Sequence, residues 1–463
     1  MPKNKGLSII IVGCGKVGIT LVEQLSREGH DITVIDKNRE LVNYISDTYD
    51  VMTVVGNGAS YSVQKDAGIE KADLIIAVTE SDELNLLCCT VARRVANCSA
   101  IARVRTPDYS ADTSYLQERL GLAMIFNPEL ETAREATRML SLPTALEVAS
   151  FAHGQAELVT FKIPKDNKLD GMMLWEMNKS IPEEIERNVV ICAVERGSEV
   201  HIPSGNFRMQ CGDTISFVST TKIARKFLRS IGFKTRQIRS TMIIGGGRST
   251  YYLAQELLSM GIGVKIIEKN RQRCEELCEL LPDANIINGD GTNEALLREE
   301  GIEYAESFVA LTGIDEENIL LTIHAKNVSN AKVNTKINRI SFRSAINTLD
   351  LGSVIYPRYI TSEAIVAYVR AKHNSMNSNV ETLNYICNNQ VEAVEFRVNE
   401  ASAVTGRMLK DLKPKMKKDI LIASINRNGR ILIPSGIDTI EAGDTVMVVT
   451  THSGFNDIRD ILA

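Results

Sequence analysis

The chain repeats itself, and that constrains its fold more than any other feature. Ile10-Ile11-Val12-Gly13-Cys14-Gly15-Lys16 recurs as Ile243-Ile244-Gly245-Gly246-Gly247-Arg248, with Gly13 falling on Gly245 at an offset of 232. Asp36 maps onto Glu268 at that offset. Ala77-Val78-Thr79 through Asp82-Glu83 to Asn85 recurs as Ala310-Leu311-Thr312 through Asp315-Glu316 to Asn318, and Ile202-Pro203-Ser204-Gly205 with Gly212-Asp213-Thr214 recurs as Ile433-Pro434-Ser435-Gly436 with Gly443-Asp444-Thr445. Separate anchors at nearly one spacing mean two copies of one two-part unit, and 463 residues is close to twice 231.

The first part of each copy alternates strands and helices. In the first copy, Ser8 to Val12, Asp31 to Ile35, Val51 to Val55, Leu74 to Val78 and Ala100 to Val104 are short β-branched runs, separated by helix-period segments such as Val17 to Glu28 and Glu83 to Ala96. Strands without polar alternation, separated by helices, imply a parallel sheet covered on both faces. After about residue 145 the pattern becomes hairpin-like: Leu158 to Ile163, Val189 to Val194, Glu199 to Ile202 and Thr214 to Ser219, punctuated by turns at Arg196-Gly197 and Cys211-Gly212-Asp213. The expected fold is α/β, with two doubly wound Rossmann-like domains, each followed by a small α+β domain. The expected boundaries are 1–145, 146–232, 233–372 and 373–463. The segment Lys222 to Arg239, with Arg225, Lys226, Arg229, Lys234 and Arg236 and no acid, reads as a solvated helix face plus linker, with a docking surface for an acidic partner or anionic lipid as the alternative.

Composition narrows the function classes. Lys plus Arg is 53 against 58 Asp plus Glu, so the chain has no overall basic footprint for nucleic acid. Nine cysteines without regular spacing suit a reducing cytoplasm. Cys88 with Cys89, and Cys274 with Cys278, read as small buried helix residues rather than metal or redox pairs. Lys3 and Lys5 precede an apolar run, but Lys16 and the glycines end it unlike a signal peptide. No stretch approaches the roughly 18 apolar residues of a membrane span.

Gly13-Cys14-Gly15-Lys16-Val17-Gly18 follows a predicted strand and opens a predicted helix. Gly13 permits the tight turn, Gly15 lets a pyrophosphate approach the backbone, and Gly18 allows close helix packing, so that phosphates face the helix N-terminus. Asp36 ends the second strand, where a carboxylate accepts from both ribose hydroxyls and repels a 2′-phosphate; this favours NAD over NADP, an inference softened by Lys37. Both copies carry a cation in the turn, Lys16 and Arg248, which can also reach a terminal phosphate of ATP or ADP. Arg103 is a second phosphate candidate on the same sheet edge, with a surface salt bridge as the alternative. Asn57 and Thr79 close the third and fourth strands, where ribose and base would lie. In the second copy Thr250 replaces the final glycine, so that helix must pack differently, while Glu268, Asp290 and Lys336 keep the polar edge. Weaker or different binding is expected there.

No catalytic group and no metal cluster is legible. His30, His153, His201, His324, His373 and His452 are dispersed, and the small domains are too short for the substrate domain of a dehydrogenase. Nucleotide binding without a reaction centre points to sensing by a conformational shift, with an NAD-dependent oxidoreductase as the alternative.

Together, the fingerprint, Asp36, the Ala77 to Asn85 stretch, the strand Ile101-Ala102-Arg103-Val104-Arg105 and the Ile202-Pro203-Ser204-Gly205 to Gly212-Asp213 ending resemble domains regulating potassium conductance. Their tandem order resembles the TrkA family of regulatory subunits of Trk potassium uptake systems. The resemblance implies a non-enzymatic, cytoplasmic protein, peripheral on the inner face of the membrane, forming a homo-oligomeric ring beneath an integral-membrane potassium translocating subunit. It implies that NAD(H), or ATP/ADP, alters gating. By position it implies a first site of Gly13, Cys14, Gly15, Lys16, Val17, Asp36, Asn57, Gly58 and Arg103. The second comprises Gly245, Gly246, Gly247, Arg248, Ser249, Glu268, Asp290 and Gly291.

Overall fold

The computed structural model describes residues 6–463 except Asn97, Pro143, 153–154, Ser198, 234–237, 340–345, 347–348, 374–378, 388–389 and 400–401. It divides into two compact units, Met1–Ala133 with Tyr356–Val366, and Arg134–Ile355 with Ala367–Ala463.

In the first unit the run Ile9-Ile10-Ile11-Val12 is at most 2% exposed. A strand apolar on both faces needs cover on both, and this one takes the middle of a parallel sheet. The strands are β1 (Ser8–Val12), β2 (Asp31–Asp36), β3 (Met52–Val55), β4 (Leu74–Ala77), β5 (Ser99–Arg103) and β6 (Met124–Phe126), in the order β3-β2-β1-β4-β5-β6. The first five lie within a residue or two of the expected runs. The three-residue β6 pairs Arg103 with Phe126 and is too short to show a period in the sequence. Chain order reverses on either side of β1, so the crevice beyond its carboxyl end is the switch point at which such sheets bind ligands.

A buried asparagine organises that edge. Asn85, in the helix Asp82–Val95, accepts through Oδ1 from the Thr79 amide at 2.8 Å and the Thr79 hydroxyl at 2.7 Å, while its Nδ2 donates to the carbonyls of Thr79 at 3.2 Å and Arg103 at 2.9 Å. Asp82, one turn earlier, accepts from the Arg105 and Thr106 amides at 2.9 and 2.8 Å. Helix, β4 end and β5 end are thereby one braced piece.

The second unit contains three sheets. β7 (Glu147–Phe151), β8 (Ala156–Lys162), β9 (Val189–Arg196), β10 (Glu199–His201) and β11 (Thr214–Ser219) form an antiparallel sheet in the order β10-β9-β11-β8-β7. β12 (Ser240–Ile244), β13 (Gly263–Glu268), β14 (Asn285–Asn288), β15 (Ser307–Ala310), β16 (Lys332–Lys336) and β17 (Ser353–Ile355) repeat the parallel sheet as β14-β13-β12-β15-β16-β17. β18 (Val380–Ile386), β19 (Val391–Arg397), β20 (Ile420–Arg427), β21 (Arg430–Leu432) and β22 (Thr445–Thr450) repeat the antiparallel one as β18-β19-β22-β20-β21. The fold is thus a tandem of doubly wound sheets, each followed by a small α+β part. The asparagine brace recurs too: Asn318 takes the Thr312 amide at 2.9 Å and donates to the Lys336 carbonyl at 2.9 Å, and Asp315 takes the Asn338 and Arg339 amides.

The two antiparallel sheets share one apolar core, in which Phe151, Leu158, Cys192 and Val218 of one meet Val391, Ala393, Met447 and Val449 of the other. Glu395 Oε1 accepts the Ala152 amide across it at 2.8 Å. Much of the expected basic linker belongs to the first small sheet's own core. Residues Thr221–Ser230 form a helix that buries Ile223, Ala224, Phe227 and Leu228, with Phe227 4.8 Å from Phe217, centroid to centroid, in edge-to-face contact. On its other side Lys226 reaches Glu184 at 2.7 Å, an acid from outside the segment. Lys234 and Arg236 lie outside the described residues, as does His153. Cys88 and Cys89 are fully buried and Cys274 is buried, whereas Cys278 is exposed, contrary to expectation, because it sits on the outer face of its helix Arg271–Leu280.

Replacing Asn85 by alanine strands at least two part-buried backbone groups, the Thr79 amide and the Arg103 carbonyl, at about 1–2 kcal/mol each. Asn85→Ala is therefore expected to lower unfolding free energy by roughly 2–4 kcal/mol, read by urea denaturation; a change within about 0.5 kcal/mol would show that the brace carries no weight.

Candidate nucleotide site

The first glycine-rich turn is built by exclusion. Gly13 has φ +100°, and a Cβ there would lie 2.9 Å from the Thr79 amide nitrogen, so both conformation and neighbour demand glycine. A Cβ on Gly18 would sit 2.0 Å from the Gly13 carbonyl oxygen. Gly15 is different. Its φ of −64° suits any residue, and a Cβ there meets nothing within 4 Å. This glycine leaves open the space in front of the helix Lys16–Arg27, which it caps at the N-terminus.

That helix end is electrostatically unusual. No side chain caps it, and no acid stands in its first turn. The helices Arg39–Thr48 and Asp82–Val95 nearby have both a side-chain cap and first-turn acids. Lys16 at the first helical position is exposed and forms no ion pair among the described residues. A cation at the positive end of a helix dipole is unfavourable by roughly 0.3–1 kcal/mol. The arrangement presents free N–H groups and a positive charge to the same open space, which is the chemistry of an anion site.

Asp36 holds the turn from the side. Its Oδ2 accepts the Cys14 amide at 2.6 Å and its Oδ1 the Asn38 amide at 2.8 Å. Burial first, and then the Asp36 charge, push the Cys14 thiol well up, so it stays protonated. Arg103 turns inward and donates to the Thr79 carbonyl; burial and the neighbouring Arg105 lower its guanidinium to about 10. Its Nε is buried without a hydrogen-bond partner. Neither the free phosphate cation nor the surface salt bridge describes it in this state.

The remaining candidates divide. The Thr79 hydroxyl is committed to Asn85. Asn57 is exposed at the edge and accepts the Ala59 amide at 3.2 Å, a local turn. A Cβ on Gly58 would meet Val12 Cγ1 at 2.2 Å, which makes this glycine a packing requirement of β1. Gly291 stands in the same relation to Ile244 Cγ2, at 2.3 Å. Val17 is half-buried beside Lys16, and Ser249 is buried.

The second turn repeats the design with substitutions. Glu268 accepts the Gly246 amide at 2.6 Å and the Asn270 amide at 2.7 Å, as Asp36 does for Cys14 and Asn38. Gly247 caps the helix Arg248–Ser259 with no side-chain cap, no first-turn acid and open space at its Cβ position, and Arg248 is exposed. Thr250, in place of Gly18, donates its hydroxyl to the Gly245 carbonyl at 2.6 Å, the group that a Cβ on Gly18 would strike in the first copy. Asp290 accepts from the amide and hydroxyl of Thr292 at 2.9 and 2.7 Å, and those bonds hold its carboxyl below the usual range. Arg273 donates to the Gly246 carbonyl at 2.7 Å, a contact without a counterpart at Leu41 and without a sequence signal. The bracing roles of Asn85 and Asp82 are also invisible locally, though their recurrence as Asn318 and Asp315 marks them.

Fold and turns define a tandem dinucleotide-fold protein. A TrkA-N domain model matches residues 9–128 and again 241–357, and a TrkA-C domain model matches 393–463. The chain belongs to the TrkA family. It is 30% identical over 455 residues to a Trk system potassium uptake protein TrkA homolog of Archaeoglobus fulgidus, covering 98% of this chain and 100% of that protein. It is 31% identical over 457 residues to the Trk system potassium uptake protein TrkA of Halomonas elongata, covering 98% of each. Among solved structures, the GsuK channel bound to NAD matches with a TM-score of 0.63 at 18% identity, covering 97% of this chain and 78% of that one. The GsuK RCK domain matches with the same score and identity, covering 97% and 93%. These structures share the fold.

Burial raises the Asp82 carboxyl, but the hydrogen bonds from Thr106 and Arg105, with the Arg105 charge, outweigh it and hold the group below 3.8. A depressed folded pKa contributes stability that is fully present above the unfolded value and is lost as pH falls through the folded one. The thermal midpoint is therefore expected to drop below about pH 4, and less steeply in Asp82→Asn, as read by circular dichroism melts across pH.

Proposed function

We propose that this chain is a nucleotide-sensing regulatory subunit that binds NAD(H), or alternatively ATP or ADP, and gates a membrane potassium transporter by changing conformation. The observation that carries this reading is the pair of uncapped helix N-termini, each with an exposed cation and an open glycine Cβ position. Two copies of so unfavourable an arrangement are explained by an anionic ligand. The residues fit a nucleotide: the turn amides and Lys16 would face its phosphates, and Asp36 retains acceptor capacity toward a ribose beyond its two amide bonds. When bound, the nucleotide supplies negative charge that the helix end lacks. Arg103, with its unpartnered Nε, is positioned to relay that change to β4 and β5.

The boundaries near 145, 232 and 372 are part of this reading, as is Thr79 at the sheet edge. The potassium partner rests on the names of the relatives. Among the described residues no helix is long and apolar enough to cross a membrane, so the translocating subunit would be a separate, integral-membrane protein and this chain would work against its cytoplasmic face. Assembly as a homo-oligomeric ring is part of the same reading, with Leu87 and Leu320, 52% and 67% exposed at equivalent positions of the two copies, as candidate contact residues.

The test separates fold from ligand. Gly15→Val is expected to lower the thermal midpoint by only a few degrees, since valine is a poorer N-cap than glycine, while weakening NADH and ATP binding at least tenfold in calorimetric titration, because the new side chain meets no other part of the chain. Asp36→Ala should weaken NADH, and Lys16→Ala should weaken ATP more than NADH. Undiminished binding by Gly15→Val overturns the site, and steady NADH turnover with any substrate overturns the sensor in favour of an oxidoreductase.

A further inference from the structure

The two small antiparallel parts build the same element with opposite charge. In the first, residues 174–187 carry Glu176, Glu183, Glu184 and Glu186 against Lys179 and Arg187. In the second, residues 407–418 carry Arg407, Lys410, Lys413, Lys415, Lys417 and Lys418 against the single acid Asp411. The fold therefore does not require these cations, since its first copy manages with acids. Two of the acids are paired internally, Glu184 with Lys226 and Glu183 with Arg187, and Glu176 accepts the Met173 amide. The cations are not. Arg407, Lys410, Lys413, Lys415 and Lys418 are exposed and enter no ion pair among the described residues; only Lys417 is committed, donating to the Asp460 carbonyl at 2.8 Å and lying over the Phe455 ring.

Exposed apolar groups accompany them. The segment from Met408 runs beside the turn 436–439, where Met408 bridges Thr439 and the Lys410 amide donates to the Gly436 carbonyl at 2.8 Å. Met408 is 41% exposed there and Ile437 69%. This places two aliphatic side chains among unpaired cations on a chain whose net charge is −5. Aliphatic groups that can enter a headgroup layer, ringed by lysines, match an anionic bilayer surface. The segment 407–418 has no aromatic residue to stack on nucleic-acid bases or to anchor a protein partner.

We propose that residues 407–418, with Ile437, form a docking surface for the anionic lipid headgroups of a membrane. It rests on the reading above only in requiring that the protein work beside a bilayer. Binding would orient the second small part toward the membrane, independently of nucleotide.

Full-length protein is to be sedimented with vesicles of phosphatidylglycerol and phosphatidylcholine in about a 1:2 ratio, and with pure phosphatidylcholine. Partition into the anionic vesicles is expected to exceed the neutral control at least tenfold and to fall as salt rises. The triple variant Lys410→Glu, Lys413→Glu, Lys415→Glu should lose at least about tenfold of it, the Lys→Arg triple should retain it, and NADH binding should be unchanged in both. Equal sedimentation with both vesicle types, or full binding by the glutamate variant, overturns the proposal. So does tighter binding to an acidic peptide or duplex DNA than to the vesicles. Loss of vesicle binding with intact NADH titration in the unmodified protein sinks this inference alone, whereas the reverse result sinks only the nucleotide reading.

Discussion

Everything at the carboxyl edge of the first sheet depends on the amide of Asn85. Its oxygen and nitrogen are both fully engaged, and three of the four bonds go to backbone groups at the ends of β4 and β5. Those groups are part-buried, so without a partner each would carry a desolvation cost. The brace also fixes Thr79, whose amide lies where a side chain on Gly13 would go, and Thr79 offers its carbonyl to Arg103. The glycine-rich turn, the strand ends and the inward-turned Arg103 are thus positioned by one side chain.

The second copy shows which parts of this design are constraint and which are choice. The acid on the turn amide changes from Asp36 to Glu268 with the donor distance kept at 2.6 Å. Cys14 becomes Gly246, where a Cβ would crowd Leu277 and Glu268. Gly18 becomes Thr250, and steric conflict turns into a hydrogen bond with the same carbonyl class. What is kept in both is the uncapped helix end with its open glycine and its cation. Packing has tolerated change, while the electrostatic arrangement has not drifted toward the acids that a helix N-terminus ordinarily prefers.

Both copies were legible to unequal depth. The parallel strands could be read from unbroken apolar runs such as Ile9 to Val12, and the hairpins from their turn glycines. Three-residue strands such as Met124–Phe126 could not, because a period needs more residues than they have. Gly13, Gly15 and Gly18 read as three different roles in the motif, and their surroundings differ too: two are demanded by neighbouring backbone, and Gly15 by nothing within its own chain. Gly58 and Gly291 joined the candidate site by resemblance and are explained by contact with Val12 and Ile244. Arg103 was expected at the edge and is there, but turned inward.

The duplication, the alternation of parallel and antiparallel parts, and the position of both glycine-rich turns could be read from spacing and local residue type. Tertiary contacts add what the apolar face of the helix Thr221–Ser230 packs into, that the two small sheets share one apolar interior, and that Asn85 and Asp82 are braces. The same contacts leave Lys410, Lys413, Lys415 and Lys418 without ion pairs among the described residues, while Glu183 and Glu184 of the first copy are paired. The physical reason is the same in each case: burial, pairing and close approach are relations between residues distant in the chain, and no local pattern encodes which partner arrives.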